Sequence, residues 1–253
     1  MKLMFVRHAE PYYRYDSLTL KGRREAELLA LRLSKLDVKD FYVSPLGRAQ
    51  ETARYTLERM QRTAETLPWL AEYRGRCADP ETGAERIPWD IKPCIYEAHP
   101  LLKDFDHWTE DSLFDGGTVD AIWQETKEGI DALLKRYGMV REPSSRIYRC
   151  EHNQPEIIVL FCHMGISVAS ISYLLGISPF LLWHGFNMQP SSVTTLVTEE
   201  RTKGEVVFRC MQLGDISHLY AADEPYSTSG LFPECYTGRD TTNPPEWDAL
   251  GYN

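Results

Sequence analysis

The sequence predicts an α/β protein, on the basis of three observations. Residues 1–6 and 156–161 are apolar apart from Lys2 and Glu156, and such runs are typical of strands that are covered on both faces of a sheet. Elsewhere in the chain, apolar residues recur at the spacing of amphipathic helices. A length of 253 residues with 43% hydrophobic residues suits one large α/β domain, or a domain that carries an insertion.

The first part of the chain alternates strands and helices. After the opening strand, Thr19 is expected to cap a helix whose apolar stripe extends to Leu36. Residues 40–44 predict a second strand, and a helix is expected over residues 44–60. Ser44 is a favoured helix cap and Pro45 suits the first helical position. A third strand is predicted at residues 64–67.

A long irregular stretch follows, over about residues 74–117. It contains four prolines and many aromatic and acidic side chains. Because a structureless loop of this length is uncommon inside a compact domain, we expect a lid-like insertion over the active face, with short helical pieces.

The second part of the chain contains the clearest strand, at residues 156–161, with a predicted helix on each side at 118–137 and 166–175. A polar hairpin or loop at 139–153, a short helix at 179–184 and a late strand hairpin at 192–211 complete the pattern. From about residue 223 to 253 the composition predicts a loosely packed tail. The prediction is therefore a single domain over residues 1–253.

Composition argues against several classes of protein. A net charge of −9 disfavours nucleic acid and anionic membranes as general partners, so a phosphate site would be a local positive pocket. The six cysteines include no CxxC pair, which argues against a zinc or disulfide framework. Free thiols without a secretory signal predict a cytoplasmic protein. No apolar run approaches the ~20 residues of a membrane span. The oligomeric state stays open.

Two histidines follow the two clearest strands. Arg7-His8 ends the first strand and Cys162-His163 follows the strand at 156–161. The carboxyl edge of an open α/β sheet is where ligands usually bind. A neutral imidazole is a nucleophile near neutral pH, and a guanidinium can hold a phosphate through two hydrogen bonds. Arg48 lies in a first helical turn, where a cation is disfavoured unless an anion binds there too. This pattern predicts phosphoryl chemistry on histidine, and the alternative is a set of ordinary surface groups.

Seven segments support a family resemblance. In chain order they are MKLMFVRHAE, SLTLKGRREAELLALRL, YVSPLGRAQETA, LAE, IIVLFCHMG, SVTTL and GDISHL. In these segments the chain resembles the histidine phosphatase superfamily, which is typified by cofactor-dependent phosphoglycerate mutase. The resemblance covers about residues 1–72 and 117–219. It implies a three-layer α/β/α fold with a mostly parallel central sheet.

The resemblance also implies roles for five residues. His8 would be the nucleophile that accepts the phosphoryl group, and Arg7, Arg48 and His163 would bind the phosphate oxygens. Glu72 would protonate the leaving alkoxide and then activate water. No metal or other cofactor is expected, because arginines and imidazole supply the positive charge.

Some assignments have alternatives. Asp104 also resembles the family's acid, but Glu72 is preferred because it comes directly after the third strand. Glu10, in the RHAE motif, is predicted to take part in substrate binding. His218 either lines the rim of the site or orders the chain terminus, and the second role is favoured.

The chain departs from the family pattern at three places. Ala9 replaces a usual Gly, Cys162 replaces a usual Thr or Ser, and Tyr12-Tyr13-Arg14 replaces a Trp-Asn pair of the mutases. The missing Asn argues against mutase activity. The sequence therefore predicts a phosphatase that acts on a small phosphomonoester through a phosphohistidine, with specificity set by the insertion. A mutase or sugar bisphosphatase, or a catalytically weak phospho-ligand binding protein, are the alternatives.

Overall fold

A computed structural model describes residues 1–151 and 153–232. These residues contain strands β1 (Lys2–Arg7), β2 (Pro11–Tyr12), β3 (Ser17–Leu18), β4 (Val38–Val43), β5 (Glu65–Thr66), β6 (Cys77–Ala78), β7 (Glu85–Arg86), β8 (Met139–Arg141), β9 (Tyr148–Cys150), β10 (Ile157–Cys162), β11 (Val193–Thr202) and β12 (Glu205–Asp215). Their helices are α1 (Leu20–Leu33), α2 (Gly47–Met60), α3 (Pro93–Tyr96), α4 (Val119–Lys135), α5 (Met164–Leu175), α6 (Pro179–Gly185) and α7 (Ser217–Tyr220).

Eight strands form the central sheet, in the order β5-β4-β10-β1-β11-β12-β9-β8. The strands from β5 to β1 are parallel to one another, whereas every pairing from β1 to β8 is antiparallel. The prediction of a mostly parallel sheet is therefore corrected to a mixed sheet. The reason is the hairpin that joins β11 to β12 around Lys203-Gly204, because a tight turn can only connect antiparallel strands.

Side chains of the central strands belong to two hydrophobic layers, one on each face of the sheet. Leu3 and Phe5 of β1 pack with α4 and α5 on one face, and Met4 and Val6 pack with α1 and α2 on the other. Successive residues of a strand point to opposite faces, so one buried strand supplies both layers. The three-layer α/β/α architecture is confirmed.

Two helix starts differ in how well the sequence predicted them. The Thr19 hydroxyl accepts a hydrogen bond from the Gly22 N–H at 2.9 Å, which confirms Thr19 as the cap of α1. The helix predicted from residue 44 instead begins at Gly47. Ser44 does not cap it, because its hydroxyl turns into the site described below.

The insertion at residues 74–117 contains the β6–β7 hairpin, α3 and several single 3₁₀ turns. Its fully buried Trp108 meets the rings of Trp123 in α4 and Trp183 in α6, with ring centroids 5.5 and 5.6 Å apart. Edge-to-face contacts of this kind fix aromatic rings relative to one another. The insertion is thus docked firmly on the body of the domain.

Near the end of the described chain, Ser227 and Ser229 are buried. The rest of the predicted loose tail, residues 233–253, lies outside the described residues. Within residues 1–151 and 153–232, none of the helices has the length and apolar character needed to cross a bilayer.

Candidate active site

The register of the central sheet brings two histidines side by side. β1 and β10 are parallel neighbours, and Arg7 at the end of β1 is paired with Cys162 at the end of β10. His8 and His163 are the next residues of the two strands, so they emerge together at the carboxyl edge. Their ring centroids are 5.1 Å apart and the ring planes are tilted by 58°. The structure therefore joins the two segments on which the predicted chemistry depends.

The hydrogen bonding of His8 defines its free nitrogen. Nδ1 lies 2.8 Å from the carbonyl oxygen of Ala9, which can only accept a hydrogen bond. Nδ1 therefore carries the proton and Nε2 keeps its lone pair. Burial lowers the pKa of His8 well below its ordinary value, and the nearby His163, Arg7 and Arg48 lower it further. The ring is neutral at neutral pH, and Nε2 is available as a nucleophile.

Ser44 sets the same Nδ1–H tautomer on His163. The Ser44 hydroxyl oxygen accepts a hydrogen bond from the Leu46 N–H at 3.2 Å and lies 2.7 Å from Nε2 of His163. A hydroxyl that already accepts is well placed to donate its own proton to Nε2, so Nδ1 carries the ring proton. This Nδ1 is buried and has no partner among the described residues. His163 thus offers an unpaired N–H donor.

Arg7 and Arg48 are each held through one side of the guanidinium. Arg7 donates from Nη1 to the Met188 carbonyl and from Nη2 to the Ser229 carbonyl, the latter at 3.3 Å. Arg48 donates from Nη1 to a carboxylate oxygen of Asp16. Both Nε atoms are buried without a partner in the described part of the chain. An unmade hydrogen bond of a buried polar group costs about 1–3 kcal/mol, so three such donors near His8 favour the binding of an anion.

Asp16 supplies the anion that the sequence pattern requires at the start of α2. Its carboxylate accepts from the Gly47 N–H at 2.6 Å as well as from Arg48. Gly47 permits this approach, since a Cβ there would lie 2.3 Å from the Asp16 carbonyl oxygen. Sequence reasoning expected an anion at this helix end but missed Asp16. The signal was an acid in the loop between the RHAE motif and α1.

Glu72 lies at the same cavity, held by the start of α5. Its Oε1 accepts from the Tyr73 N–H at 2.7 Å and from the Ile166 N–H at 3.0 Å. The Ile166 amide belongs to the first turn of α5, where amide donors lack helical partners. Gly165 makes room for this contact, because a Cβ there would lie 2.6 Å from Oε1. Oε2 is left for proton transfer.

Two acids of the sequence prediction lie elsewhere. Asp104 is exposed, and its Oδ1 accepts from the amides of residues 106 and 107 in a surface turn. The structure also does not bring Glu10 to the cavity, which corrects its predicted place among the substrate-binding groups. Its carboxylate is buried behind the motif, where it accepts from the Thr19 hydroxyl at 2.9 Å.

His218 supports the backbone of His8. It is buried, and its Nε2 lies 3.1 Å from the Ser191 hydroxyl. The Ser191 N–H in turn donates to the His8 carbonyl at 3.0 Å. His218 does not line the cavity, so the predicted role at the rim of the site does not fit its position. The hydrogen bonds instead connect it, through Ser191, to the backbone of His8.

The two unusual residues of the motifs fit without strain. Ala9 does not have the positive φ that would require glycine, and its N–H donates to the Thr52 hydroxyl at 3.0 Å. Cys162 lies 3.1 Å from the Ser167 hydroxyl oxygen, and burial raises the pKa of its thiol to about 12. A thiol that stays protonated at neutral pH acts here as a small core group.

The cavity has a volume of about 300 Å³. Its walls carry Arg7, His8, Tyr13, Arg48, Glu72, Tyr73, Arg76, Ile87, Trp89, Met164, Asn187, Gly230, Leu231 and Phe232. A wider cleft of about 970 Å³ lies between α4 and the β8–β9 hairpin, but neither active-site histidine lines it. Among the described residues, no group of three or more His, Cys, Asp or Glu side chains could hold a metal ion.

This arrangement suits a tetrahedral oxyanion. His8, Arg7, Arg48 and Glu72 line a cavity large enough for a phosphate and a small organic group, and the ring of His163 lies behind His8 with an N–H that has no partner among the described residues. Interlinked hydrogen bonds hold each group before any ligand binds, which is the preorganisation that charge stabilisation requires. The geometry can therefore support transfer of a phosphoryl group to His8.

Comparison with known proteins agrees with the geometry. The family model of the histidine phosphatase superfamily (branch 1) matches residues 3–92. A curated relative, the 2,3-bisphosphoglycerate-dependent phosphoglycerate mutase of Thermoplasma acidophilum, is 30% identical over 134 residues. This match covers 50% of the chain and 60% of the relative, so it spans less than two thirds of the relative's length.

Solved structures share the fold over most of the chain. A phosphoserine phosphatase from Entamoeba histolytica has a TM-score of 0.57 at 21% identity, covering 86% of this chain and 98% of its own. A mycobacterial glucosyl-3-phosphoglycerate phosphatase has a TM-score of 0.54 at 20% identity, covering 84% and 98%. At this level of identity the likeness shows the fold alone. The segment that matches the family model contains Arg7, His8, Arg48 and Glu72, so over residues 3–92 the chain is similar to the histidine phosphatase superfamily.

Proposed function

We propose that the protein is a metal-independent phosphatase that hydrolyses a small phosphomonoester through a phosphohistidine on His8. The observation that supports this proposal is a set of three buried donors near His8 that have no partner among the described residues. They are Nε of Arg7, Nε of Arg48 and Nδ1 of His163. A bound phosphoryl group would satisfy all three.

In the first half of the reaction, Nε2 of His8 attacks phosphorus and the bond from phosphorus to the ester oxygen breaks. Glu72 gives its proton to the departing oxygen, so that an alcohol leaves. The arginines and His163 bind the equatorial oxygens, where the charge of the transition state lies. Splitting the displacement through a covalent intermediate replaces one difficult step by two easier ones.

In the second half, the same carboxylate acts as a base. Glu72 takes a proton from water, the water oxygen attacks phosphorus, and the bond from phosphorus to Nε2 breaks. Inorganic phosphate leaves and His8 returns to its neutral form. The carbonyl of Ala9 keeps the Nδ1 proton in place throughout, so the ring returns to the same tautomer.

Mutase activity is the second candidate, since the curated relative is named as a phosphoglycerate mutase. The loop after β1 presents Tyr13 beside Arg48, with 5.6 Å between the guanidinium carbon and the ring centroid. A tyrosine ring at this position narrows the space in which a bound molecule could rotate and take the phosphoryl group back from His8 on a different oxygen. Product analysis separates the two activities: a mutase yields an isomer with little free phosphate, whereas a phosphatase releases all of it.

The direct test compares wild type with His8→Ala on 4-nitrophenyl phosphate. We expect at least a ~10³-fold loss of phosphate release, because the nucleophile of both steps is removed. His107→Ala is the matched control, since this histidine is exposed and pairs with Glu110 on the surface. Acid-labile phosphate on wild type but not on His8→Ala would identify the intermediate. Equal turnover by the two proteins would end the proposal, and ligand binding without any turnover would favour a binding protein.

A cytoplasmic location, a small phosphorylated substrate and the absence of nucleic-acid or membrane partners stay predictions from the sequence.

A further inference from the structure

The ring of Trp89 lies next to the proposed proton donor. A Cβ built on Gly165 would lie 2.6 Å from Oε1 of Glu72 and 2.4 Å from Cη2 of Trp89. The carboxylate and the indole are therefore neighbours across the space that a side chain at 165 would fill. Glu72 and Trp89 both line the cavity.

Trp89 is held rigidly. Its ring centroid is 5.4 Å from that of Trp183 and 6.4 Å from that of Tyr73. Trp183 is itself fixed, because its indole N–H donates to the Gly165 carbonyl at 3.0 Å. A half-buried indole braced by two other rings gives the cavity a preformed apolar wall.

The other walls on this side are mainly apolar. Ile87, Met164 and Leu231 line the cavity around Trp89. Apart from Arg7 and Arg48, the described lining residues include a single cation, Arg76. Its Nε lies 3.4 Å from a carboxylate oxygen of Glu85, and its Nη1 donates to the Gly75 carbonyl. A second anionic group on a substrate would find this guanidinium already paired.

We propose that Trp89 determines specificity and that the substrate is a monophosphate ester of a flat, uncharged aromatic alcohol. This inference rests on the proposed phosphatase function. Glu72 must lie within hydrogen-bond reach of the leaving oxygen, which places the leaving group in the part of the cavity that Trp89 lines. Stacking of an aryl group on the indole and burial of its apolar surface favour this class of ester.

The test measures kcat/KM for 2-naphthyl phosphate, glycerol 3-phosphate and phosphoserine. We expect wild type to prefer the naphthyl ester by at least about tenfold, the factor that ~1.4 kcal/mol of stacking provides. Trp89→Ala should lose about tenfold on the naphthyl ester and less than about threefold on glycerol 3-phosphate, with Trp89→Phe in between. Trp69→Phe is the control, because this half-buried indole packs against Gly129 and does not line the cavity.

Inhibition of wild type gives a second measurement that needs no variant to fold. Phenylphosphonate should inhibit at a concentration at least about tenfold lower than methylphosphonate. Equal inhibition by the two phosphonates, or equal losses of Trp89→Ala on all three substrates, would overturn the inference. Turnover of phosphoserine or glycerol 3-phosphate in preference to the aryl ester, abolished by His8→Ala, would also overturn it while keeping the phosphatase function. If wild type and His8→Ala hydrolysed all three substrates at the same low rate, the result would instead contradict the proposed phosphatase function.

Discussion

The two ends of the cavity are built in different ways. At the phosphate end, Arg7, His8 and His163 follow the ends of the paired strands β1 and β10, and Arg48 begins a long helix. Each of these side chains has a hydrogen-bond partner that fixes it. At the leaving-group end, the walls come from the insertion, through Arg76, Ile87 and Trp89, and from residues 230–232.

This difference separates chemistry from recognition. The phosphate end is polar and buried, and its groups cannot move without breaking the sheet edge or a helix start. The leaving-group end relies on ring packing within a segment of short turns, which can change in sequence without disturbing the sheet. We therefore expect substitutions at the first end to affect all substrates, and substitutions at the second to affect some of them.

The largest effect is expected for Glu72→Gln, which removes the proton donor and the base. We predict a ~10³-fold lower kcat on alkyl phosphates. An aryl phosphate with a good leaving group should show a smaller loss in the first step, because its oxygen departs without a proton. Asp104→Asn, at an exposed acid away from the cavity, should stay within about twofold. Steady-state kinetics of both variants decide the matter, and a larger loss in Asp104→Asn would reverse the assignment.

The next effect compares one arginine from each end. Arg48→Ala should lower kcat/KM by about 10²–10³-fold on every substrate, since it removes a donor to the transferred phosphoryl group. Arg48→Lys should recover little, because an ammonium cannot keep the Asp16 contact and also reach the phosphate. Arg76→Ala should change kcat/KM by less than about threefold, because its charge is already paired with Glu85. Equal losses in the two alanine variants would remove the distinction between the ends.

The sequence could place the residues of the phosphate end because they follow clear strands or begin a helix. The apolar runs before His8 and His163 indicate buried strands, and the RHAE and SPLGRAQETA motifs place Arg7 and Arg48. The parallel pairing of β1 and β10 then fixes the contact between the histidines. The hairpin at residues 192–211 was predicted, but the resemblance implied a mostly parallel sheet, so the antiparallel share of the sheet was underestimated.

The leaving-group end could not be predicted at the level of residues. The stretch at 74–117 has no periodicity, so nothing in the sequence singles out Trp89 from its other aromatic residues. Ser44 shows a different limit. A Ser-Pro pair is a helix-start signal, but the serine hydroxyl was taken by a histidine that lies 119 residues further along the chain. Local preference cannot anticipate a partner so distant in sequence.

The third prediction concerns the free energy of unfolding, which a buried carboxyl group behind the phosphate end makes dependent on pH. Glu25 of α1 is fully buried behind the RHAE motif, where it accepts from the Glu10 N–H at 2.9 Å. Burial is the main cause that raises the pKa of Glu25, and the charge of Glu10 adds to it. The Glu10 amide, Lys21 and Arg7 oppose the shift, and the net pKa is raised to about 8. The unfolded chain releases this proton near pH 4.5, but the folded chain retains it. Stability should therefore fall as pH rises from about 4.5 to about 8.

Glu25→Gln keeps the shape of this side chain and cannot ionise. We expect it to be about 2–4 kcal/mol more stable than wild type at pH 8, with a gap below about 1 kcal/mol at pH 5. Urea unfolding at the two pH values measures the difference. Glu27→Gln, at an exposed carboxylate of the same helix, is the control and should show no such gap. A stability difference that does not change with pH would contradict a proton held on Glu25.

The smallest effect tests the hydrogen bond that sets the His163 tautomer. Ser44→Ala removes the hydroxyl that donates to Nε2, so the ring proton is no longer held on Nδ1. Losing one hydrogen bond of this kind, about 1–1.5 kcal/mol, predicts a roughly tenfold lower kcat/KM on all substrates. Ser170→Ala is the matched control, because this buried serine of α5 makes no hydrogen bond to the described residues. If Ser44 only stabilised the fold, its loss would lower the unfolding midpoint while the ring-nitrogen NMR shifts of His163 stayed those of the Nδ1–H form. A change of those shifts toward the Nε2–H form, together with lower activity at unchanged fold, is the result that a positioning role for Ser44 requires.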